Sequence, residues 1–338
     1  NLKYIVCNEP GSFSLLEKEI PKREEGHALV KITRVGICGT DLHAYQGNQP
    51  FFSYPRILGH ELAGEIVEIN SNIQDLKSGD AVIIMPYVTC GTCIACRKGK
   101  SNCCTDMNVL GVHSDGGMQE YYSIPTDLLI TAGELTHNEI AIVEPLAIGA
   151  HCIRRAEIEK DETVLVIGCG PIGLGIIRQA QLAGANVIVM DVNDERLKFV
   201  QEKLDIEHVI NALNNPQEEL LNINNQELPT IVIDATGNKK ALEAGVQYMA
   251  HGGKYILVGL YKGDLSFNHP FIHSHEITLL SSRNATLEDM YRVKEILENG
   301  EFPVEDYITH EVPYSEMIEN FDSWVRPETG VIKAMVTF

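Results

Sequence analysis

The chain has 338 residues, of which 44% are hydrophobic and 22% are charged. Single hydrophobic cores stop growing near this length, so we predict two domains, and the composition is that of a globular protein rather than a disordered one. The 27 basic and 47 acidic side chains give a formal net charge of −20. Such a charge repels nucleic-acid phosphates and anionic lipid headgroups, which argues against a nucleic-acid or membrane partner.

We expect the protein to be soluble, cytoplasmic and not exported. The longest apolar tract, residues 163–177, is interrupted by glycines and Pro171 and is too short to cross a bilayer. The first residues show no basic segment followed by an apolar one, which is the pattern of an export signal. The nine cysteines are an odd number, and clustered cysteines in an intracellular protein indicate metal binding rather than disulfides.

Residues 1–147 are predicted to form a β-rich domain. Apolar and polar residues alternate in part over residues 27–33 and cleanly over 64–69, and glycines and prolines separate such runs. This pattern is typical of short strands joined by turns.

Four cysteines lie close together within this β-rich region, with spacings of three, three and eight residues: Cys90, Cys93, Cys96 and Cys104. Four thiolates complete a tetrahedral shell and leave no open position. We therefore predict a structural zinc ion, held by a lobe of about residues 88–106.

Further candidate metal ligands are scattered along the chain: Cys38, His60, Glu61 and Glu144. Cysteine, histidine and carboxylate ligands around one exchangeable position describe a catalytic zinc site. Isolated cysteines and histidines are usually structural, however, so spacing alone leaves both interpretations open.

From residue 163 the pattern changes to short apolar strands that alternate with helical segments. The predicted strands are 163–167, 187–191, 230–235, 254–259 and 277–281. This alternation predicts βαβ units on a parallel sheet, which we assign to a domain of residues 148–285. Just before the last strand, His273 and His275 alternate in what we predict to be a strand, where they would share a face and could bind a metal or form part of an interface.

A glycine fingerprint follows the first of these strands, with Gly168, Gly170, Pro171, Ile172 and Gly173 at the start of a predicted helix. The glycines permit a tight turn, close approach of a pyrophosphate and helix packing, while the helix N-terminus offers free N–H groups. The alternative is a glycine-rich turn of some other α/β protein.

The second strand ends at Asp191, 18 residues after Gly173. A carboxylate there can bind ribose hydroxyls and would repel a 2′-phosphate, so we predict NAD rather than NADP. Arg196, five residues further on, is either a contact for the adenosine or an ordinary solvated helix residue.

The C-terminal part returns to short strands. A predicted helix over residues 287–299 precedes predicted strands over 307–312 and 331–338. These strands suit the β-rich domain better than the parallel sheet. We therefore predict a discontinuous domain of residues 1–147 and 286–338, into which the nucleotide domain is inserted.

Together these motifs resemble the zinc-dependent medium-chain dehydrogenases, the alcohol and polyol dehydrogenase group. The resemblance implies an α/β fold with a GroES-like β-rich catalytic domain and a Rossmann NAD-binding domain with a doubly wound parallel sheet. It also implies an active site in the cleft between them, two zinc ions per subunit, and homodimers or homotetramers. The runs 38–52, 144–151 and 282–286 are most similar to bacterial hexonate oxidoreductases of the L-galactonate 5-dehydrogenase type.

The resemblance also implies roles at the catalytic zinc. Cys38 and His60 match zinc ligands, and Glu61 matches an acidic neighbour that ligates the metal in some relatives. Glu144 falls where polyol dehydrogenases carry a glutamate, which would reach zinc directly or through water, or contact substrate. Asp41 matches the carboxylate that orients the ligand histidine.

The resemblance implies further roles in proton transfer and at the nicotinamide and substrate end. Thr40 and His43 match the family's proton relay, although His43 also reads as an ordinary surface histidine. The segments that line the nicotinamide and substrate end are matched by Val258, Gly259 and Leu260, and by Arg283 and Asn284. Arg283 could clamp a substrate carboxylate, or it could contact the cofactor or the protein itself.

The sequence therefore predicts an enzyme that transfers hydride reversibly from a secondary alcohol of a sugar acid or polyol to NAD. Three alternatives remain: a sorbitol or butanediol type of polyol dehydrogenase, a zinc-independent quinone reductase, and a non-catalytic NAD and zinc sensor. Ala44 stands where sorbitol dehydrogenases carry a substrate-contacting tyrosine, which disfavours sorbitol itself.

Overall fold

The computed structural model describes residues 1–50, 52–70, 72–73 and 75–338. They fall into two units: unit 1 comprises Asn1–Pro145 and Thr286–Phe338, and unit 2 comprises Leu146–Ala285. Among the described residues, no helix combines the length and the apolar character that a membrane span requires.

The strands are β1 (Leu2–Glu9), β2 (Ser12–Lys18), β3 (His27–Ile37), β4 (Glu61–Glu68), β5 (Ala81–Ile84), β6 (Tyr87–Val88), β7 (Asn108–Val109), β8 (Tyr121–Pro125), β9 (Leu129–Thr131), β10 (Thr163–Ile167), β11 (Asn186–Asp191), β12 (His208–Asn211), β13 (Ile231–Asp234), β14 (Lys254–Leu257), β15 (Thr278–Ser281), β16 (Ile308–Pro313) and β17 (Lys333–Thr337).

The α-helices are α1 (Gly39–Gln46), α2 (Ile94–Arg97), α3 (His137–Ala141), α4 (Val143–Ala156), α5 (Pro171–Leu182), α6 (Asp194–Lys203), α7 (Pro216–Ile223), α8 (Lys239–Gly245), α9 (His269–His275), α10 (Leu287–Glu298), α11 (Val304–Tyr307) and α12 (Met317–Val325).

Unit 1 is built on a mainly antiparallel sheet in the order β16-β17-β3-β4-β5-β9, with β8 also paired to β3. The apolar residues of β3 and β4 pack with those of β5, α12 and β17 in one core that includes Ile32, Ile66, Val82, Phe321 and Val336. The C-terminal strands β16 and β17 join this sheet where β17 pairs with β3, whereas β1 and β2 form a separate two-stranded sheet.

Unit 2 is a parallel sheet in the order β12-β11-β10-β13-β14-β15. In chain order this is 3-2-1-4-5-6, the order of a doubly wound dinucleotide-binding sheet. The predicted strands are all present, and the structure adds β12, which the sequence analysis missed. The predicted α/β fold class is therefore confirmed.

One local prediction is wrong: His273 and His275 lie in helix α9, not in a strand. The side chain of Asn268 caps this helix by accepting a hydrogen bond from the Phe271 N–H at 2.9 Å, and Pro270 occupies its first turn. These helix-start signals outweigh the alternation of two histidines.

Candidate metal and cofactor sites

Cys38, His60 and Glu61 meet at one end of the β3–β4 pair in unit 1. The antiparallel register places Gly36 opposite Glu61, so the residue after β3, Cys38, comes close to the residue before β4, His60. One ligand atom from each of the three residues lies within 4.8 Å of the others. A cysteine, a histidine and a carboxylate at this spacing fit a zinc ion.

His60 is buried, and its two ring nitrogens face carboxylates. Nε2 lies 3.9 Å from Oε2 of Glu144, and Nδ1 lies 4.0 Å from Oδ1 of Asp41. Burial by itself would lower the pKa of His60, but Cys38 and the two carboxylates raise it well above its usual value. The pocket thus favours positive charge, which suits a cation.

Asp41 links this pocket to helix α1. Its Oδ2 accepts a hydrogen bond from the backbone N–H of Cys38 at 2.9 Å, within the capping box that begins the helix. Its Oδ1 is the atom that faces His60 and has no hydrogen-bond partner among the described residues. One carboxylate therefore caps α1 and faces the ring of His60, at a distance longer than a hydrogen bond.

Glu144, in the first turn of α4, is also buried, and its two oxygens differ. The hydroxyl of Tyr87 donates a hydrogen bond to Oε1 at 2.5 Å, while Oε2 has no hydrogen-bond partner in the described part of the chain. Burial raises the pKa of Glu144, and the neighbouring His60 works against that rise. Oε2 is thus a buried acceptor aimed towards the histidine, as a metal ligand would be.

Lys333, which the sequence analysis did not select, pairs with Glu61. Its Nζ lies 2.8 Å from Oε1 and 3.0 Å from Oε2 of Glu61, and it donates to the carbonyl of Ile37 at 3.0 Å. Lys333 is 2% exposed and Glu61 is fully buried. Burial would lower the pKa of Lys333, but the charge and hydrogen bond of Glu61, together with Tyr307 and Cys38, outweigh burial and raise it. The one signal in the sequence was a lysine at the start of a mostly apolar strand.

Two residues of the predicted proton relay lie on α1. The hydroxyl of Thr40 is 3.9 Å from the sulfur of Cys38, so Thr40 borders the metal site. His43 is exposed on the same helix.

The four clustered cysteines, Cys90, Cys93, Cys96 and Cys104, also converge, with their sulfurs within 4.8 Å of one another. Backbone N–H groups point at the sulfurs: that of Cys93 reaches Cys90 at 3.2 Å, and that of Cys90 reaches Cys104 at 3.3 Å. Hydrogen bonds from the backbone of Cys96 and Thr105 lower the pKa of Cys93 to about 5. Burial raises the pKa of Cys96 to about 11. Four converging cysteines, among which Cys93 is stabilised as a thiolate, fit a closed zinc site.

The glycine fingerprint of unit 2 forms the turn between β10 and α5. A Cβ at Gly173 would overlap the carbonyl of Gly168, whereas a Cβ at Gly170 would meet nothing within 4 Å. The protein itself therefore does not require glycine at position 170. The space beside that backbone, at the N-terminus of α5 where Pro171 and Ile172 begin the helix, fits a pyrophosphate.

Asp191 ends β11 beside this turn. Its Oδ2 accepts from the N–H of Cys169 at 2.8 Å, and its Oδ1 accepts from the N–H of Asn193 at 2.9 Å. Arg196 donates to the carbonyl of Cys169 at 3.2 Å. Asp191 and Arg196, which the sequence analysis proposed for the cofactor site, thus both border the glycine turn.

The residues that the family resemblance assigns to the nicotinamide and substrate end lie past the carboxyl ends of β14 and β15. This is the edge where doubly wound sheets bind ligands. The N–H groups of Val258 and Gly259 donate to the carbonyl of Asp234 at 2.9 and 3.0 Å, and Leu260 is 81% exposed. Arg283 is exposed and Asn284 is half-buried, with φ of 50°.

Comparison with known proteins agrees with this geometry. Residues 24–134 match the Alcohol dehydrogenase GroES-like domain, and residues 171–299 match the Zinc-binding dehydrogenase domain. The chain belongs to the zinc-dependent medium-chain alcohol and polyol dehydrogenase family, and the resemblance inferred from its motifs is confirmed. The protein is therefore an oxidoreductase of the dehydrogenase class.

Individual relatives align over most or all of the chain. It is 42% identical to the L-galactonate-5-dehydrogenase of Escherichia coli (strain K12), over 100% of this chain and 99% of that relative. It is 33% identical to the sorbitol dehydrogenase of Bacillus subtilis (strain 168), over 82% and 81% of the two chains. A crystal structure of a short chain alcohol dehydrogenase from E. coli CFT073, complexed with the cofactor NADH, superposes with a TM-score of 0.92 at 31% identity, covering 100% and 99% of the two chains.

Proposed function

We propose that this protein oxidises a secondary hydroxyl of a sugar acid, a hexonate such as L-galactonate, in a reversible reaction that uses NAD. The observation that carries the proposal is the convergence of four candidate zinc ligands: Cys38, His60 and Glu61 lie close together, and His60 faces Glu144. The relative with 42% identity, named for L-galactonate, supports the choice of substrate.

In this proposal unit 1, including the lobe of about residues 88–106, is the catalytic domain, and unit 2 binds NAD. When bound, zinc would polarise the substrate hydroxyl as a Lewis acid, and NAD would accept the hydride. Cys38 and His60 would hold the ion, and Asp41 would keep the ring of His60 oriented. Thr40 would take the proton of the alcohol, and the exposed His43 would release it to solvent.

We propose Glu144 rather than Glu61 as the third protein ligand. Both oxygens of Glu61 lie within 3.0 Å of the Lys333 ammonium, which neutralises that carboxylate. Oε2 of Glu144 has no hydrogen-bond partner among the described residues and lies 3.9 Å from the Nε2 atom of His60. Because Zn–N and Zn–O bonds are about 2.0–2.2 Å long, one ion can contact two atoms at that separation.

A second, structural zinc ion is proposed for Cys90, Cys93, Cys96 and Cys104. Their convergence and the backbone N–H groups around them support a site without an open position. Four reduced thiols also suit the cytoplasm, where disulfides rarely persist.

The proposed oligomer is a homodimer or homotetramer. β15 lies at the edge of the sheet of unit 2 and has one described neighbour, β14, and Leu279 on this strand is 44% exposed. An edge strand with an exposed apolar side chain suits pairing with a second copy.

Replacing Asp191 with serine should weaken the preference for NAD over NADP by about 10-fold to 100-fold, because a hydrogen-bond acceptor for the ribose hydroxyls is lost together with the charge that repels a 2′-phosphate. The measurement is the ratio of kcat/KM for the two cofactors. Glu202→Ser, which removes an exposed acid from the following helix α6, serves as the control. An unchanged ratio in Asp191→Ser would remove this residue from the cofactor site.

Replacing Arg283 with methionine tests the carboxylate clamp. We expect KM for L-galactonate to rise by about 10-fold to 100-fold, the value of a charge-assisted hydrogen bond, with little change for neutral hexitols and short diols. Arg292→Met removes an exposed arginine from α10 as a matched control. An equal effect on acids and neutral polyols would show that Arg283 does not recognise a carboxylate.

The same panel tests the alternatives. Preference of the unmodified protein for sorbitol or butanediol would favour a neutral-polyol dehydrogenase, which the 33% identical sorbitol dehydrogenase also suggests. Turnover that survives complete removal of zinc would favour the zinc-independent reductase. Binding of NAD and zinc without turnover of any alcohol would favour the sensor.

A further inference from the structure

We propose that Tyr87 is a positioning residue for the catalytic metal, acting through Glu144. Neither the sequence motifs nor the family matches single out this tyrosine. The proposal rests on the proposed role of Glu144 as a ligand, and it concerns how that carboxylate is aimed.

The contact between the two residues gives the two oxygens of the Glu144 carboxylate different roles. The Tyr87 hydroxyl donates to Oε1 at 2.5 Å, and both side chains are buried, with Tyr87 6% and Glu144 4% exposed. A buried glutamate has several rotatable bonds, and a phenol donor on one oxygen restricts them. The other oxygen, Oε2, is then left facing Nε2 of His60 at 3.9 Å. A hydrogen-bond donor behind a ligating carboxylate is the usual means of orienting it.

The backbone that carries Tyr87 is held on both sides. Tyr87 lies opposite Val109 in the β6–β7 pair, and the carbonyl of Pro86 accepts from the N–H of Leu110 at 2.9 Å. The four-cysteine lobe is the loop between these two strands, since Cys90 follows β6 by two residues. The aromatic ring is therefore attached to a short ladder that cannot slide without breaking these bonds, which makes Tyr87 a rigid donor.

The test uses Tyr87→Phe, which keeps the ring and removes only the hydroxyl. Zinc is replaced by cobalt(II), and the difference between the visible spectra of the unmodified protein and of Cys38→Ser isolates the signal of the Cys38 site. We expect Tyr87→Phe to change the shape of this difference spectrum and to weaken cobalt binding there by about 10-fold to 100-fold in competition with a chelator, the usual cost of losing such a partner. The control is Tyr255→Phe, which removes another buried hydroxyl, one that donates to the Leu242 carbonyl at 2.6 Å, in unit 2.

A double-mutant cycle with Glu144→Gln then separates positioning from general destabilisation. If Tyr87 acts through the carboxylate, Tyr87→Phe should have much less effect on cobalt affinity in the Glu144→Gln background than alone. Equal effects in both backgrounds, or a change no larger than that of Tyr255→Phe, would overturn the proposal. If Glu144→Gln alone leaves cobalt affinity unchanged, Glu144 is not a ligand and the Tyr87 proposal fails with it. These measurements of cobalt binding need no substrate. Failure to oxidise hexonates would therefore refute the proposed reaction but not the proposed role of Tyr87.

Discussion

Replacing Cys38 with serine should reduce turnover by about 1,000-fold or more while the protein still folds and binds NAD. The expected loss follows from the several kcal/mol of charge stabilisation that a catalytic metal supplies, because each 1.36 kcal/mol is worth about tenfold in rate. Cys38 directly follows β3 and is only half-buried, so the smaller serine leaves little strain behind. The measurements are kcat with the preferred hexonate, zinc content, NAD binding by fluorescence, and Tm.

The matched control is Cys93→Ser in the four-cysteine lobe. This variant should also lose zinc, but its main effect should be a lower Tm, because a structural zinc ion contributes folding energy to the loop that surrounds it. The two variants together test the division of labour between the proposed metal sites. An equal loss of Tm in both variants, with equal loss of turnover, would contradict it.

Replacing Lys333 with methionine should lower the free energy of unfolding by about 3–5 kcal/mol, the usual cost of removing one partner of a buried ion pair. Glu61 lies in a fully buried position on β4. Its carboxylate would therefore stay buried without a cation. Denaturant unfolding of unit 1, followed through Trp324 on α12, measures the change.

Two further variants sharpen this prediction. Glu61→Gln combined with Lys333→Met removes both charges and should recover much of the lost stability, because an uncharged pair leaves no unpaired ion. Lys3→Met breaks the exposed pair between Lys3 and Glu17 and should change stability very little. If the double variant is as unstable as Lys333→Met alone, the cost lies in packing rather than in the charge of Glu61.

The parts of the fold that the sequence predicted are those whose signals are local. The strands of unit 2 are apolar runs between helices, and the glycine turn carries its own requirement, because a Cβ at Gly173 would strike Gly168. β12 was missed because its four residues, His208–Asn211, include a histidine and an asparagine at the two ends. That composition leaves only a two-residue apolar signal, which periodicity cannot distinguish from a loop.

In the candidate site, too, the residues that the sequence predicted are those with local signals. The four cysteines lie within fifteen positions, from Cys90 to Cys104, so their spacing alone indicated a metal. Cys38, His60 and Glu144 needed the family resemblance, because the β3–β4 pair and helix α4 bring them together from distant parts of the chain. Tyr87 and Lys333 had neither a motif nor a close spacing. Lys333 contacts a residue 272 positions away, and only the register of β17 against β3 reveals that contact.

The position of β17 late in the chain also limits when the surroundings of the candidate metal site can be completed during synthesis. Glu61 leaves the ribosome early, and all of unit 2 is made before Lys333 appears. Until β17 joins β3, the carboxylate of Glu61 has no buried cation and is better accommodated in water. The nascent protein can thus complete unit 2 while unit 1 still lacks β17, and the buried pair of Glu61 and Lys333 beside the candidate metal site forms only after this strand has been added.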